Sequence, residues 1–267
     1  MTLSPFWSRI LVAAAGLPLV LYLVWLGGGW LFLLGAVVAT LALHELFWIA
    51  RPFRPLVLAG YTGALLALLG AWLGGSVWMA GGFLTTLPLA FVLKGISQTR
   101  QSVTVAVATT VLGAGWIGLG LSHVLLLRQI PPADDGRLAV FTVVLAVFAS
   151  DTVSYFAGRL VGRHRLAPTI SPGKTWEGFF AGTVIAVVVP FFALYRSDFM
   201  DVWQSLVLGA VIAVTAPLGD LFESAVKRDL NVKDSGRLLA GHGGMLDRID
   251  SHLFAAVAAY YAILALT

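Results

Sequence analysis

Nine apolar blocks follow one another along the chain, at 10–26, 30–50, 56–73, 77–93, 103–127, 138–160, 178–195, 202–225 and 252–266. Most have the length needed to cross a hydrocarbon layer of about 30 Å. Gly27-Gly28-Gly29, Gly74-Gly75, Arg51-Pro52 and Pro131-Pro132 punctuate them, as glycine and proline punctuate helices generally. The pattern predicts an all-α, polytopic transmembrane helical bundle of about nine spans. The blocks 10–26 and 252–266 are the shortest.

Composition agrees. The chain has 267 residues, 59% of them hydrophobic, and a mean hydropathy of +0.91, well beyond a soluble domain of this length. With no cysteine, disulfides, thiolate metal sites and cysteine nucleophiles are excluded. Block 10–26 lacks a convincing small-residue cleavage site, so it reads as a retained first helix rather than a signal peptide. The small size and the lack of a targeting peptide favour a bacterial inner membrane.

Charge orients the spans. With the N-terminus cytoplasmic, the inner segments carry Arg9, Arg51, Arg54, Lys94, Arg100, Arg159, Arg163, Arg165, Lys174, Lys227, Arg228, Lys233, Arg237 and Arg248, 14 of the 17 basic residues. Arg128, Arg137 and Arg196 fall outside. This asymmetry fits the positive-inside rule and puts loops 161–177 and 226–251 in the cytoplasm. Basic residues between membrane spans point to anionic lipids or nucleotides as partners, not nucleic acid.

Two spans carry charge inside their apolar runs. Asp151, Ser154, Tyr155 and Gly158 share one helical face, and Asp220, Glu223, Ser224 and Lys227 repeat the spacing. A carboxylate in a span needs a partner, a cation or water. Two such faces leading into charged loops suggest one cavity at the inner surface. The structural alternative is an ion-pair staple involving Lys227 and Arg228.

The segment from Lys227 to Asp250, KRDLNVKDSGRLLAGHGGMLDRID, holds nine of the chain's 30 charged residues. Its Gly241-His242-Gly243-Gly244 turn has the backbone freedom to aim N–H groups at phosphate oxygens. Lys227, Arg228, Lys233, Arg237 and Arg248 supply positive charge. Asp220, Asp234, Asp247 and Asp250 are hard oxygen donors suited to Mg²⁺. Basic and acidic groups together are what phosphoryl transfer needs, since metal and cations share the developing charge. In the earlier loop, Ser171-Pro172-Gly173-Lys174-Thr175-Trp176-Glu177-Gly178 adds Lys174 and two hydroxyls before a helix N-terminus. It lacks the spacing of a P-loop, and a plain turn into a helix with an interfacial Trp176 is its structural alternative.

These residues resemble the phosphatidate cytidylyltransferases (CDP-diacylglycerol synthases), whose signature runs roughly S-x-x-K-R-x4-K-D-x-G-x-x-L-P-G-H-G-G-x-x-D-R-x-D. Ser224, Lys227, Arg228, Lys233, Asp234, Gly236, Leu239, Gly241, His242, Gly243, Gly244, Asp247, Arg248 and Asp250 stand in register. Ala240 replaces the usual proline, which removes no functional group. The family's S-P-x-K-T-x-E-G and D-x-x-x-Y-x-x-G elements match Ser171–Gly178 and Asp151–Gly158. The match is specific over about 150–251 and rests earlier only on topology, Arg9 and Glu45.

The resemblance implies transfer of CMP from CTP to phosphatidic acid, with Mg²⁺ and room for a second cation. Asp220 and Asp247, with Asp250, become the metal-ligand candidates. Lys227, Arg228, Lys233 and Arg248 become phosphate binders and Ser224 a polar neighbour of the reacting groups. Asp151, Ser171, Lys174, Thr175, Glu177, Asp234, Gly243 and Gly244 become substrate-cavity candidates. His242 reads better as a loop-shaping or phosphate-bonding residue than as an acid or base. His44, His123, His164 and His252 read as structural or interfacial. By analogy residues 1–130 support the fold and offer a candidate homodimer interface, while 131–267 carry catalysis. The rivals are a CTP-using enzyme with another lipid acceptor (CDP-archaeol synthase or polyprenol kinase) and an ion-coupled transporter. The transporter predicts inverted repeats and mid-membrane charge, neither of which the sequence displays.

Overall fold

The computed structural model describes residues 16, 18–97, 102–236 and 243–267. Arg9, Arg100, Arg237, Leu239, Ala240, Gly241 and His242 lie outside them, so the expectations placed on those positions do too.

The helices are α1 (Gly28–Ile49), α2 (Val57–Leu84), α3 (Thr86–Ile96), α4 (Val103–Gly113), α5 (Gly120–Arg128), α6 (Ala133–Val161), α7 (Trp176–Leu194), α8 (Val202–Asp229) and α9 (Leu246–Leu266). A π-helical turn, Ala114–Leu119, joins α4 to α5, and residues 18–26 are helical before α1. Among the described residues, seven helical runs are long and apolar enough to cross a membrane. The all-α expectation holds for the bundle. The addition is a small antiparallel hairpin, β1 (Arg165–Ala167) and β2 (Ser171–Thr175), which pairs Arg165 with Thr175 and Ala167 with Ser171. The sequence reading treated that segment as an irregular loop. Its strands are too short to show an alternating pattern.

The chain divides into two compact units, Met1–Leu126 with Asp234–Arg248, and Leu127–Lys233 with Ile249–Thr267. In the first, the run Val57–Ile96 has 40 residues, which as one straight helix would measure about 60 Å, twice a bilayer core. It folds back at Gly75, whose φ of 70° and ψ of −157° are non-helical. A Cβ on Gly82 would lie 2.7 Å from the Ala67 nitrogen, and one on Gly63 2.9 Å from the Thr86 Cβ. The two limbs are therefore antiparallel and in backbone contact, as small residues permit between membrane helices. Gly27 breaks the chain before α1 with nearly the same geometry, φ 66° and ψ −155°. Leu43, Leu46, Leu68 and Ile117 are fully buried in this unit.

The second unit is built on α6, α7 and α8. A Cβ at Gly178 would come within 2.6 Å of the Ser154 carbonyl, and at Gly182 within 3.0 Å of the Ser150 carbonyl, so α6 and α7 meet with no side chain between them. Gly209 does the same for α8 against Val187 of α7, its added Cβ falling 2.6 Å from the Val187 Cα. These close crossings fix the polar face of α6 relative to α7 and α8.

Candidate active site

Within the second unit, α8 carries the polar residues at helical spacing. Pro217, inside this helix, has no N–H to donate to Ala213 four residues earlier. At Gly219 an added Cβ would lie 2.5 Å from the Asp250 carbonyl oxygen, which brings α8 and α9 together beside Asp220. The Asp220 carboxylate accepts a hydrogen bond from Ser224 Oγ at 3.3 Å and an ion pair from Lys174 Nζ at 2.7 Å. Asp151 lies near the Ser251 side chain and within electrostatic reach of Asp220 and Lys174. Asp250, buried, lies within electrostatic reach of both Asp220 and Asp151. The two charged faces anticipated on the sixth and eighth blocks thus belong to one carboxylate cluster, with Lys174 supplying the countercharge.

The β1–β2 hairpin delivers Lys174. Thr175 caps α7, its Oγ1 accepting from the Gly178 N–H at 3.2 Å. Glu177 accepts from His164 Nδ1 at 2.7 Å and from the His164 N–H at 3.3 Å, tying the start of α7 to the start of the hairpin. Arg228 Nε donates to the Ile170 carbonyl at 3.3 Å and its Nη1 to the Val232 carbonyl at 3.2 Å. Ser171 is half-buried and lies on β2. His164 and Glu177 are thus paired with each other where the hairpin meets α7.

The ion pairs differ from the sequence expectation in their partners. Lys227 Nζ pairs with Glu223 Oε2 at 2.6 Å, whereas Asp220 is paired across the fold with Lys174. Both carboxylates are ion-paired: Glu223, at 2% of its side-chain area, within its own helix, and Asp220, at 34%, with Lys174 of the hairpin. Tertiary pairing of Lys174 with Asp220 has no local sequence signal.

In the first unit, residues 234–236 and 243–248 take part in a second polar centre. Lys233 and Asp234 are exposed; Ser235 is buried. Asp247 accepts from the Gly244 N–H at 2.9 Å and from the Ser235 N–H at 3.3 Å. Gly243 has φ +84°, a left-handed conformation that suits glycine, and its added Cβ would sit 3.3 Å from Asp247 Oδ2. The Gly244 N–H, expected to face phosphate, is thus engaged by Asp247. Glu45 of α1 completes the centre. Its buried carboxylate accepts from Ser235 Oγ at 3.1 Å and from the Met245 and Leu246 N–H groups, both at 2.9 Å. Sequence reasoning saw Glu45 only as a weak point of resemblance, since 190 residues separate it from Ser235.

No three His, Asp or Glu side chains among the described residues form a ready metal cage. The donors that are present are hard carboxylate oxygens, and an ammonium already rests on one of them at Asp220. Such a set fits a divalent ion held by one or two carboxylates and completed by phosphate oxygens.

The profile of the cytidylyltransferase family matches residues 7–266. The chain belongs to this family. Among curated proteins, the phosphatidate cytidylyltransferase of Staphylococcus haemolyticus is 35% identical over 253 residues, covering 92% of this chain and 94% of that protein. The Staphylococcus epidermidis protein of the same name is 34% identical over 254 residues with the same coverage. That of Staphylococcus aureus is 38% identical over 160 residues, 60% of this chain and 59% of its own length. For a cytidylyltransferase of this family, the carboxylate cluster, the Lys174 hairpin and residues 234–236 and 243–248 are the polar features of an otherwise apolar, multi-pass membrane protein.

Proposed function

We propose that this chain is a phosphatidate cytidylyltransferase of a bacterial inner membrane, with its active site on the cytoplasmic side. A phosphate oxygen of phosphatidic acid attacks the α-phosphorus of CTP. The bond from that phosphorus to the bridging oxygen breaks, giving CDP-diacylglycerol and pyrophosphate. The observation that carries the reading is the run Ser224–Asp250, in which fourteen signature positions stand in register within a family match spanning 7–266.

The nucleophile is already ionised, so little general-base help is needed. The difficulty is to bring two anions together in line, which preorganised cations relieve. Lys227, Arg228, Lys233 and Arg248 are assigned to phosphate charge, with Lys174 held in place by Asp220 until substrate arrives. Asp220, Asp247 and Asp250 are assigned to Mg²⁺, which when bound neutralises phosphate charge at the reacting centre. Ser224 orients Asp220 through their hydrogen bond. Ser171, Thr175 and Glu177 shape the hairpin side of the substrate cavity, and Asp151, Asp234, Gly243 and Gly244 belong to its polar lining. His242 is assigned to phosphate hydrogen bonding or loop shape. One substrate is held by its acyl chains in the bilayer and the other is soluble, which accounts for charged loops set on an apolar bundle.

The test is pyrophosphate release by detergent-purified protein supplied with CTP, phosphatidic acid and Mg²⁺, with an Asp247→Asn control. Release that needs all three components and is lost in the variant supports the assignment. Release indifferent to phosphatidic acid but dependent on another lipid phosphate would move the acceptor and refute it.

A further inference from the structure

Glu45 lies in the first half of the chain, on a helix with no other link to the signature segment in sequence, yet its carboxylate is only 2% exposed and fully committed to that segment. Oε1 accepts the Met245 N–H at 2.9 Å. Oε2 accepts the Leu246 N–H at 2.9 Å and the Ser235 hydroxyl at 3.1 Å. Met245 and Leu246 stand at the start of α9, where N–H groups have no partner within the helix; a carboxylate there is favoured by both hydrogen bonding and the helix dipole. Ser235 precedes Met245 by ten positions in the chain. One side chain therefore holds Ser235, Met245 and Leu246 together.

The glycines record how closely it fits. A Cβ at Gly236 would lie 2.5 Å from Glu45 Oε1, and one at Gly244 2.5 Å from Oε2. Their absence of side chain has a reason beyond backbone freedom, because the carboxylate presses against both. The Gly244 and Ser235 N–H groups also hold Asp247. Glu45 and Asp247 thus share one backbone frame, with Glu45 inside it and Asp247 less buried.

We infer that Glu45 is a positioning residue for the transfer reaction, whose carboxylate ties Ser235 to Met245 and Leu246 and so sets the frame that presents Asp247 and Arg248. The inference rests on the function proposed above. Outer partners of a metal ligand typically alter metal affinity or activity about 10–100-fold when removed.

The experiment compares wild-type protein with Glu45→Gln. Glutamine keeps the shape but has one acceptor oxygen, and its amide NH₂ must face N–H or O–H donors. Two readouts are taken: the Mg²⁺ concentration giving half-maximal pyrophosphate release, and the rate of trypsin cleavage after Lys233 and Arg237 in ligand-free protein. The expected result is a rise of about tenfold or more in the Mg²⁺ requirement with a lower kcat, little change in KM for phosphatidic acid, and faster cleavage. A variant that loses thermal stability but keeps the wild-type Mg²⁺ requirement and kcat would overturn the positioning role. Unchanged cleavage would overturn the tie itself. Should Glu45→Gln not fold, Ser235→Ala decides in its place, with a shift of about fivefold in the Mg²⁺ requirement and faster cleavage expected, and no change in either contradicting the inference. Wild-type protein that failed to release pyrophosphate would remove the parent reading, while the cleavage comparison would still judge the tie.

Discussion

Replacing Glu223 by alanine is expected to destabilise the protein by about 3–5 kcal/mol, the usual consequence of removing one member of a buried ion pair. Burial decides this magnitude. An exposed i,i+4 pair on a helix contributes only about 0.3–0.5 kcal/mol, but here the side chains of Glu223 and Lys227 are 2% and 12% exposed and 2.6 Å apart. At an effective dielectric constant of about 20, the attraction at that distance is about 6 kcal/mol before desolvation is counted. Removing the carboxylate forfeits this attraction while leaving the ammonium in a site that solvates it poorly. Removing both charges, in Glu223→Ala with Lys227→Met, relieves the desolvation of each. The double variant should therefore be more stable than the sum of the single effects implies, with a coupling of about 1–3 kcal/mol. Equilibrium unfolding in mixed detergent micelles at neutral pH measures all three variants, and the coupling should persist at high salt because a buried pair is weakly screened. Additive effects, with a coupling below about 0.5 kcal/mol, would refute the argument from burial.

Lys174→Met should behave in the opposite way: its pair with Asp220 is more accessible, at 23% and 34%, so stability should change by about 1 kcal/mol or less while turnover falls about 100-fold or more, as melting curves and kcat will report. Gly182→Val should lower the melting temperature through overpacking of about 1–3 kcal/mol, because its Cβ would occupy the place of Ser154 Oγ; a second change, Ser154→Gly, should recover part of the loss. Asp220→Asn should abolish turnover and also release Lys174, so that trypsin cleaves the β1–β2 hairpin faster than in wild-type protein.

The bundle was legible because a membrane forces each crossing segment to satisfy its backbone internally, and apolar runs such as 30–50 and 138–160 leave little else to be. The polar faces of Asp151 and Asp220 were legible for the same reason: a carboxylate stands out in such a run. What escaped was tertiary. Glu223 and Asp220 sit three residues apart in one motif, yet one is paired within its own helix and the other across the fold, because Lys174 arrives from a hairpin whose strands have three and five residues. Glu45 is only a weak point of resemblance in the sequence; the fold brings Ser235, Met245 and Leu246 to it. Gly74-Gly75 reads as a break, whereas Gly63, Gly82 and Gly182 become contact points between helices only through tertiary packing.

The central claim is that a cytidylyl group, and not a terminal phosphate, passes from nucleotide to lipid. Following the label from [α-³²P]CTP and, separately, [γ-³²P]CTP into the organic phase with phosphatidic acid as acceptor tests it directly. The account predicts α-label in the lipid and γ-label in pyrophosphate. Lipid carrying the γ-label alone would mean a kinase and would contradict it.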